Sequence, residues 1–119
     1  MKKLFFSLLA ALSIGTIHAQ TKALQVAKIS TPTVQCDMCK TRIEEYLKRI
    51  DGVTFVNVAV KKKETTVKFL SDRTNAEMIK TSIANAGYVA DEIAANPESY
   101  KMLPKCCKKP EDGGGMPKH

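Results

Sequence analysis

The sequence predicts an α+β fold, a ferredoxin-like βαββαβ sandwich with a four-stranded antiparallel sheet and two helices on one face. Three observations predict it. Apolar residues recur at helical spacing in two stretches, one around Ile43 and Leu47 and one around Ile79 and Ile83, and each stretch lies between runs rich in β-branched residues. Between the helical stretches, two alternating runs are joined by the short charged turn Lys61-Lys62-Lys63-Glu64, which makes them a hairpin. The helices must then connect strands that are not hairpin neighbours, and right-handed crossovers around a central hairpin give the split βαβ arrangement.

The first nineteen residues stand apart from this pattern. Met-Lys-Lys is followed by an uncharged apolar run from Leu4 to Ile17 and then by small residues near His18-Ala19-Gln20, the layout of a secretory signal peptide. The run is shorter than the roughly 20 residues of a spanning helix, so residues 1–19 are expected to be cleaved after Ala19. Export across the inner membrane, a periplasmic or extracellular location and no membrane span in the mature protein follow. Of the 119 residues 100 then remain, enough for one compact domain and too few for two, expected as a monomer. Losing Lys2 and Lys3 takes the net charge from +7 to +5, a moderate excess that aids solubility and attraction to acidic surfaces.

Taken in order, residues 24–31 carry β-branched residues with partial alternation and no helical period, and Pro32 ends them. From Cys39 the positions Ile43, Tyr46, Leu47 and Ile50 line one helical face, with Lys48 and Arg49 where cations suit the helix dipole and Asp51-Gly52 as the stop. A strand follows with Val56, Val58 and Val60 on one side. After the lysine turn a second strand places Val67 and Phe69 inward. Three lysines at a hairpin tip, with no stacking aromatics beside them, are a solvated turn, and no nucleic-acid partner is expected. Residues 71–75 offer helix caps, and Met78, Ile79, Ser82, Ile83 and Ala86 trace the second stripe, stopped by Gly87. Met78 is expected to pack in the core. Residues 88–93 are expected to close the sheet as its fourth strand. Residues 20–95 thus form the domain, and 96–119 a short helix begun by Asn96-Pro97 and a flexible cysteine-containing tail with Gly113-Gly114-Gly115.

The chemistry lies in Val34-Gln35-Cys36-Asp37-Met38-Cys39, between the first strand and the first helix. A thiol pair on such a turn can chelate a soft metal, exchange a disulfide or close a structural one. Free amides and the dipole at the helix start stabilise thiolates there. Two sulfurs two residues apart can face one point, and soft thiolates favour Cu(I); Zn(II), Hg(II) and Cd(II) compete for the same ligands. Two ligands alone would leave the metal under-coordinated and accessible, which suits transfer better than storage. His119 is the only histidine outside the leader, which argues against a Cys/His zinc site and removes the commonest general base; no catalysis is implied.

Set at the first loop of a βαββαβ chain, these residues resemble the heavy-metal-associated domain family, which includes copper chaperones, periplasmic mercury-binding proteins and the amino-terminal domains of metal-exporting P-type ATPases. The resemblance covers about residues 24–94 and rests on the Cys36 to Cys39 loop, on Ile50-Asp51-Gly52-Val53 with Val56 and Val58, and on Ala86-Gly87-Tyr88. The family's Gly-Met-Thr before the first cysteine is replaced by Thr33, Val34 and Gln35, with Val34 standing where the methionine plugs the core. The resemblance implies Cys36 and Cys39 as metal ligands, Tyr88 as a neighbour that tunes the metal, and a protein donor or acceptor of metal as partner, such as a metal-transporting ATPase or another membrane exporter.

The expected function is therefore an exported soft-metal-binding protein, a Cu(I) chaperone or metal-transfer protein, with a mercury or other toxic-metal scavenger as the alternative of the same fold. A thiol-disulfide oxidoreductase is the alternative of another class, although the larger core and proline loop of a thioredoxin-like fold are missing. A structural Cys36–Cys39 disulfide would close a tiny loop and add little stability. Cys106 and Cys107, in a basic context with Met102, Met116 and His119 nearby in sequence, have three open readings: a second soft-metal site, a flap over Cys36 and Cys39, or a loose tail forming incidental disulfides.

Overall fold

The computed structural model describes residues 23–115. The expected leader, with its cleavage site, and Met116 and His119 lie outside the described residues. Three strands form one antiparallel sheet in the order β1-β3-β2, with β1 at Leu24–Ser30, β2 at Val53–Ala59 and β3 at Glu64–Leu70. Helix α1 spans Asp37–Lys48, α2 Ala76–Asn85, and a single turn of helix, α3, Pro97–Lys101.

The alternation and helical spacing explain which residues are inside. Ile29, Val56, Val58, Val67 and Phe69 on one sheet face meet Ile43 and Leu47 of α1 and Ile79 and Ile83 of α2 in a single buried cluster. The opposite face stays open: Val26 and Phe55 are exposed, and Lys68 Nζ lies 5.0 Å from the centroid of the Phe55 ring. Asn75 caps α2 by accepting the Met78 N–H at 2.9 Å, and Asn96 caps α3 by accepting from Glu98 and Ser99. Val34 is fully buried beneath the loop that carries Cys36, as the sequence reading expects. Lys63 donates from Nζ to the Val34 carbonyl, tying the hairpin tip to that loop.

Two expectations are corrected here. No fourth strand forms among the described residues: 88–93 makes only the isolated bridge between Ala90 and Ile93. The cause is Asp91, which turns the chain at a positive φ of 49°, receives the Ser30 N–H on its carboxylate at 2.7 Å and gives its own N–H to the Ser30 carbonyl at 2.8 Å. One residue thus satisfies the end of β1 where a ladder was expected. Met78, in turn, is exposed at the rim of α2, while Ile79 and Ile83 carry the packing.

The tail also departs from expectation. Leu103 enters the core, Lys105–Cys107 and Pro110–Asp112 each form a 3₁₀ turn, and Cys107 is fully buried. Leu103 rests against Gly87, whose φ is +105° and whose place a Cβ could take only 3.1 Å from Leu103 carbons. Gly87→Ala therefore combines a strained backbone with a displaced leucine, and is expected to lower unfolding stability by about 1–3 kcal/mol in denaturant titration.

Candidate metal centre

The start of α1 sets the position of the first two thiols. Cys36 is the N-cap residue, in extended conformation, and Cys39 lies in the first turn facing the core. Their sulfurs are 3.2 Å apart. The tail brings the other two cysteines over them: Cys107 Sγ is 2.6 Å from Cys39 Sγ and 4.0 Å from Cys36 Sγ, and Cys106 Sγ is 4.0 Å from Cys107 Sγ. The sulfurs of Cys36, Cys106 and Cys107 all lie within 4.8 Å of one another. All four cysteines are free thiols.

Neighbouring contacts hold the tail in this place. The Gln35 side-chain amide donates to the Lys108 carbonyl at 2.7 Å, and Tyr100 Oη donates to Asp112 at 2.5 Å while accepting the Lys109 N–H at 2.9 Å. Gly115 N–H donates to the Lys105 carbonyl at 3.0 Å, folding the glycine run back on the turn. The pair is consequently covered, and the sequence expectation of an accessible two-thiol site is corrected. Cys36 is 8% exposed, Cys39 and Cys107 are not exposed at all, and Cys106 alone is half-buried. At the rim Cys106 Sγ lies 3.7 Å from the sulfur of exposed Met38.

Cys36, Cys106 and Cys107 are shifted in acidity in different directions. Burial pushes the Cys36 thiol up, but the Cys39 amide, the Cys39 and Cys106 thiols and the Met38 amide together outweigh it and hold Cys36 below the ordinary thiol value. Cys106 is pushed up chiefly by its contact with Cys36. Cys107 is pushed up by burial and then by Cys39. Cys36 is thus shifted toward the thiolate, the form that binds metal, while Cys106 and Cys107 are shifted toward the neutral thiol.

Tyr88, singled out by resemblance, is fully buried, and its hydroxyl has no hydrogen-bond partner among the described residues. Burial first, then Cys107 and Cys39, keep the phenol protonated. A buried hydroxyl without a partner costs about 1–3 kcal/mol. Facing sulfurs, it is placed to donate to a thiolate. This placement of Cys106 and Cys107 corresponds to one of the three readings left open by the sequence, the flap over Cys36 and Cys39.

The family model for the heavy-metal-associated domain matches residues 28–89. The chain belongs to the heavy-metal-associated domain family. Its relatives include the mercuric transport protein periplasmic component of Shigella flexneri, 31% identical over 88 residues that make up 74% of this chain and 93% of that protein. Among solved structures, oxidized MerP from Ralstonia metallidurans CH34 is similar with a TM-score of 0.55 at 25% identity, over 58% of this chain and 96% of that one. A copper binding domain from HMA7, a P-type ATPase, is similar with a TM-score of 0.54 at 26% identity, over 58% of this chain and 93% of that one. In this heavy-metal-associated domain the matched span contains Cys36, Cys39 and Tyr88 and ends before Cys106 and Cys107.

Proposed function

We propose that this heavy-metal-associated domain binds one soft metal ion, Cu(I) or Hg(II), at Cys36 and Cys39 and passes it to or from another protein outside the cytoplasm. The observation that carries the reading is the convergence of cysteine sulfurs at the start of α1, beside the orphaned Tyr88 hydroxyl. Soft thiolates select thiophilic ions, and binding releases the thiol protons to solvent. Cys36 and Cys39 serve as ligands. Tyr88 serves as the hydrogen-bond donor that orients and stabilises a thiolate.

A donor or acceptor protein, such as a metal-transporting ATPase or another membrane exporter, is the partner this chemistry calls for. Relatives named as mercuric and as periplasmic support Hg(II) as cargo and a location outside the cytoplasm, and the copper binding domain of a P-type ATPase supports Cu(I). Among the described residues no helix is long and apolar enough to cross a membrane. Zn(II) and Cd(II) are expected to bind more weakly.

Titration of the reduced protein with Cu(I), Hg(II) and Zn(II) against competing chelators tests the reading. Tight, stoichiometric binding of Cu(I) or Hg(II) with weaker Zn(II) is expected. Failure to hold either soft ion against a chelator, or catalytic insulin reduction dependent on Cys36 and Cys39, would overturn it in favour of thiol-disulfide exchange.

A further inference from the structure

The pair at the helix start is not the set of sulfurs best spaced for a metal. With metal–sulfur bonds of about 2.3 Å, three sulfurs arranged as a triangle around one ion stand about 4.0 Å apart, and two on opposite sides of it stand about 4.6 Å apart. Cys36 and Cys39 are 3.2 Å apart and must spread to take an ion between them. Cys39 and Cys107, at 2.6 Å, must spread further. By contrast Cys107 stands 4.0 Å from both Cys36 and Cys106, and the third side of that triangle is within 4.8 Å.

We propose that the C-terminal turn supplies two further metal ligands, so that the ion taken up at the Cys36–Cys39 pair has a second, resting position held by Cys36, Cys106 and Cys107, with Cys36 shared by both positions. The proposal rests on the soft-metal reading and adds to it a ligand set outside the span matched to the family. Placement of the tail is built into the fold. Leu103 in the core, Gln35 on the Lys108 carbonyl and Tyr100 on Asp112 hold the turn in place before any ion arrives.

The arrangement also gives the ion a route. Within the cluster Cys106 and Met38 are the sulfurs at the rim, Cys36 keeps a little exposed surface, and Cys107 and Cys39 are fully buried. An arriving ion meets Cys106 and Met38, each thiol that binds gives its proton to water, and the ion keeps its oxidation state throughout. Passing it on is ligand exchange: a bond to Cys106 breaks as a bond to a partner thiolate forms, while Cys36 holds the ion. The third thiolate keeps the cargo from small competing thiols until a partner engages the rim.

X-ray absorption on the reduced protein loaded with one equivalent of Hg(II) counts the sulfur neighbours directly. Three sulfurs are expected in the wild-type protein, two in the Cys106→Ser, Cys107→Ser double variant, and three still in Cys39→Ser. Two sulfurs in the wild-type protein would overturn the proposal while leaving the soft-metal reading standing. Loss of the third sulfur in Cys39→Ser would also overturn it, by placing Cys39 in the resting position in place of a sulfur of the C-terminal turn. An absence of Hg(II) binding in the wild-type protein would sink both. The wild-type count decides the matter even where a variant of a buried cysteine fails to fold.

Discussion

Cys36→Ser is expected to lower the affinity for Hg(II) or Cu(I) by at least about a hundredfold, the largest loss of any single cysteine replacement. The size follows from ligand arithmetic. A four-ligand thiolate-type site releases roughly 10–16 kcal/mol on metal binding, or about 3 kcal/mol per ligand, and each 1.4 kcal/mol is tenfold in affinity. Cys36 stands above the others for two reasons: it belongs to both sulfur sets, and it is the thiol that the amides at the start of α1 hold below the ordinary value. Cys39→Ser removes a ligand from the pair alone, and Cys106→Ser removes one from the triangle alone. Competition against a chromophoric chelator measures all three. Equal affinities for wild type and Cys36→Ser would remove Cys36 from the site.

Leu103→Ala is expected to destabilise the fold by about 2–4 kcal/mol, with a loss of thermal midpoint of roughly 10 °C or more. Leu103 is 5% exposed and fills the space above Gly87, so the truncated side chain leaves a cavity that the single turn of α3 cannot close by itself. The same residue fixes where the Lys105–Cys107 turn begins. A second readout separates loss of the pin from general unfolding: in the folded population, with the helices retained by circular dichroism, Cys107 becomes reactive to a thiol reagent. Continued protection of Cys107 in a folded Leu103→Ala protein would show that the hydrogen bonds of Gln35 and Tyr100 hold the turn alone.

The periodic parts of the chain were legible because burial imposes a period. Ile43 and Leu47, Ile79 and Ile83, and the alternating Val56, Val58, Val67 and Phe69 all lie inside, as spacing requires. The loop bearing Cys36 and Cys39 was legible for the same reason, since it lies between a strand and a helix whose ends could be read. Asp91 shows what was not. The β-like composition of residues 88–93 says nothing of a carboxylate that reaches the Ser30 amide and ends the pairing at one residue. For the tail the flap over Cys36 and Cys39 stood only as one of three readings, and its path was illegible on similar grounds: two isolated anchors, Leu103 and Cys107, hold it, and two anchors separated by turns make no period. Met78 failed differently, because a stripe marks a helical face but not how much of its edge the neighbouring elements cover.

Alkylation of the reduced protein with iodoacetamide, read by mass spectrometry with and without one equivalent of Cu(I), tests the metal-binding claim most directly, because it reports on Cys36 itself. Cys36 keeps 8% of its surface exposed and its thiol is held below the ordinary value, so it is expected to be modified in the metal-free protein. It is expected to be spared once Cu(I) is added, while the fold, followed by circular dichroism, stays the same. Modification of Cys36 to the same extent with and without Cu(I) would contradict a soft-metal site at the start of α1.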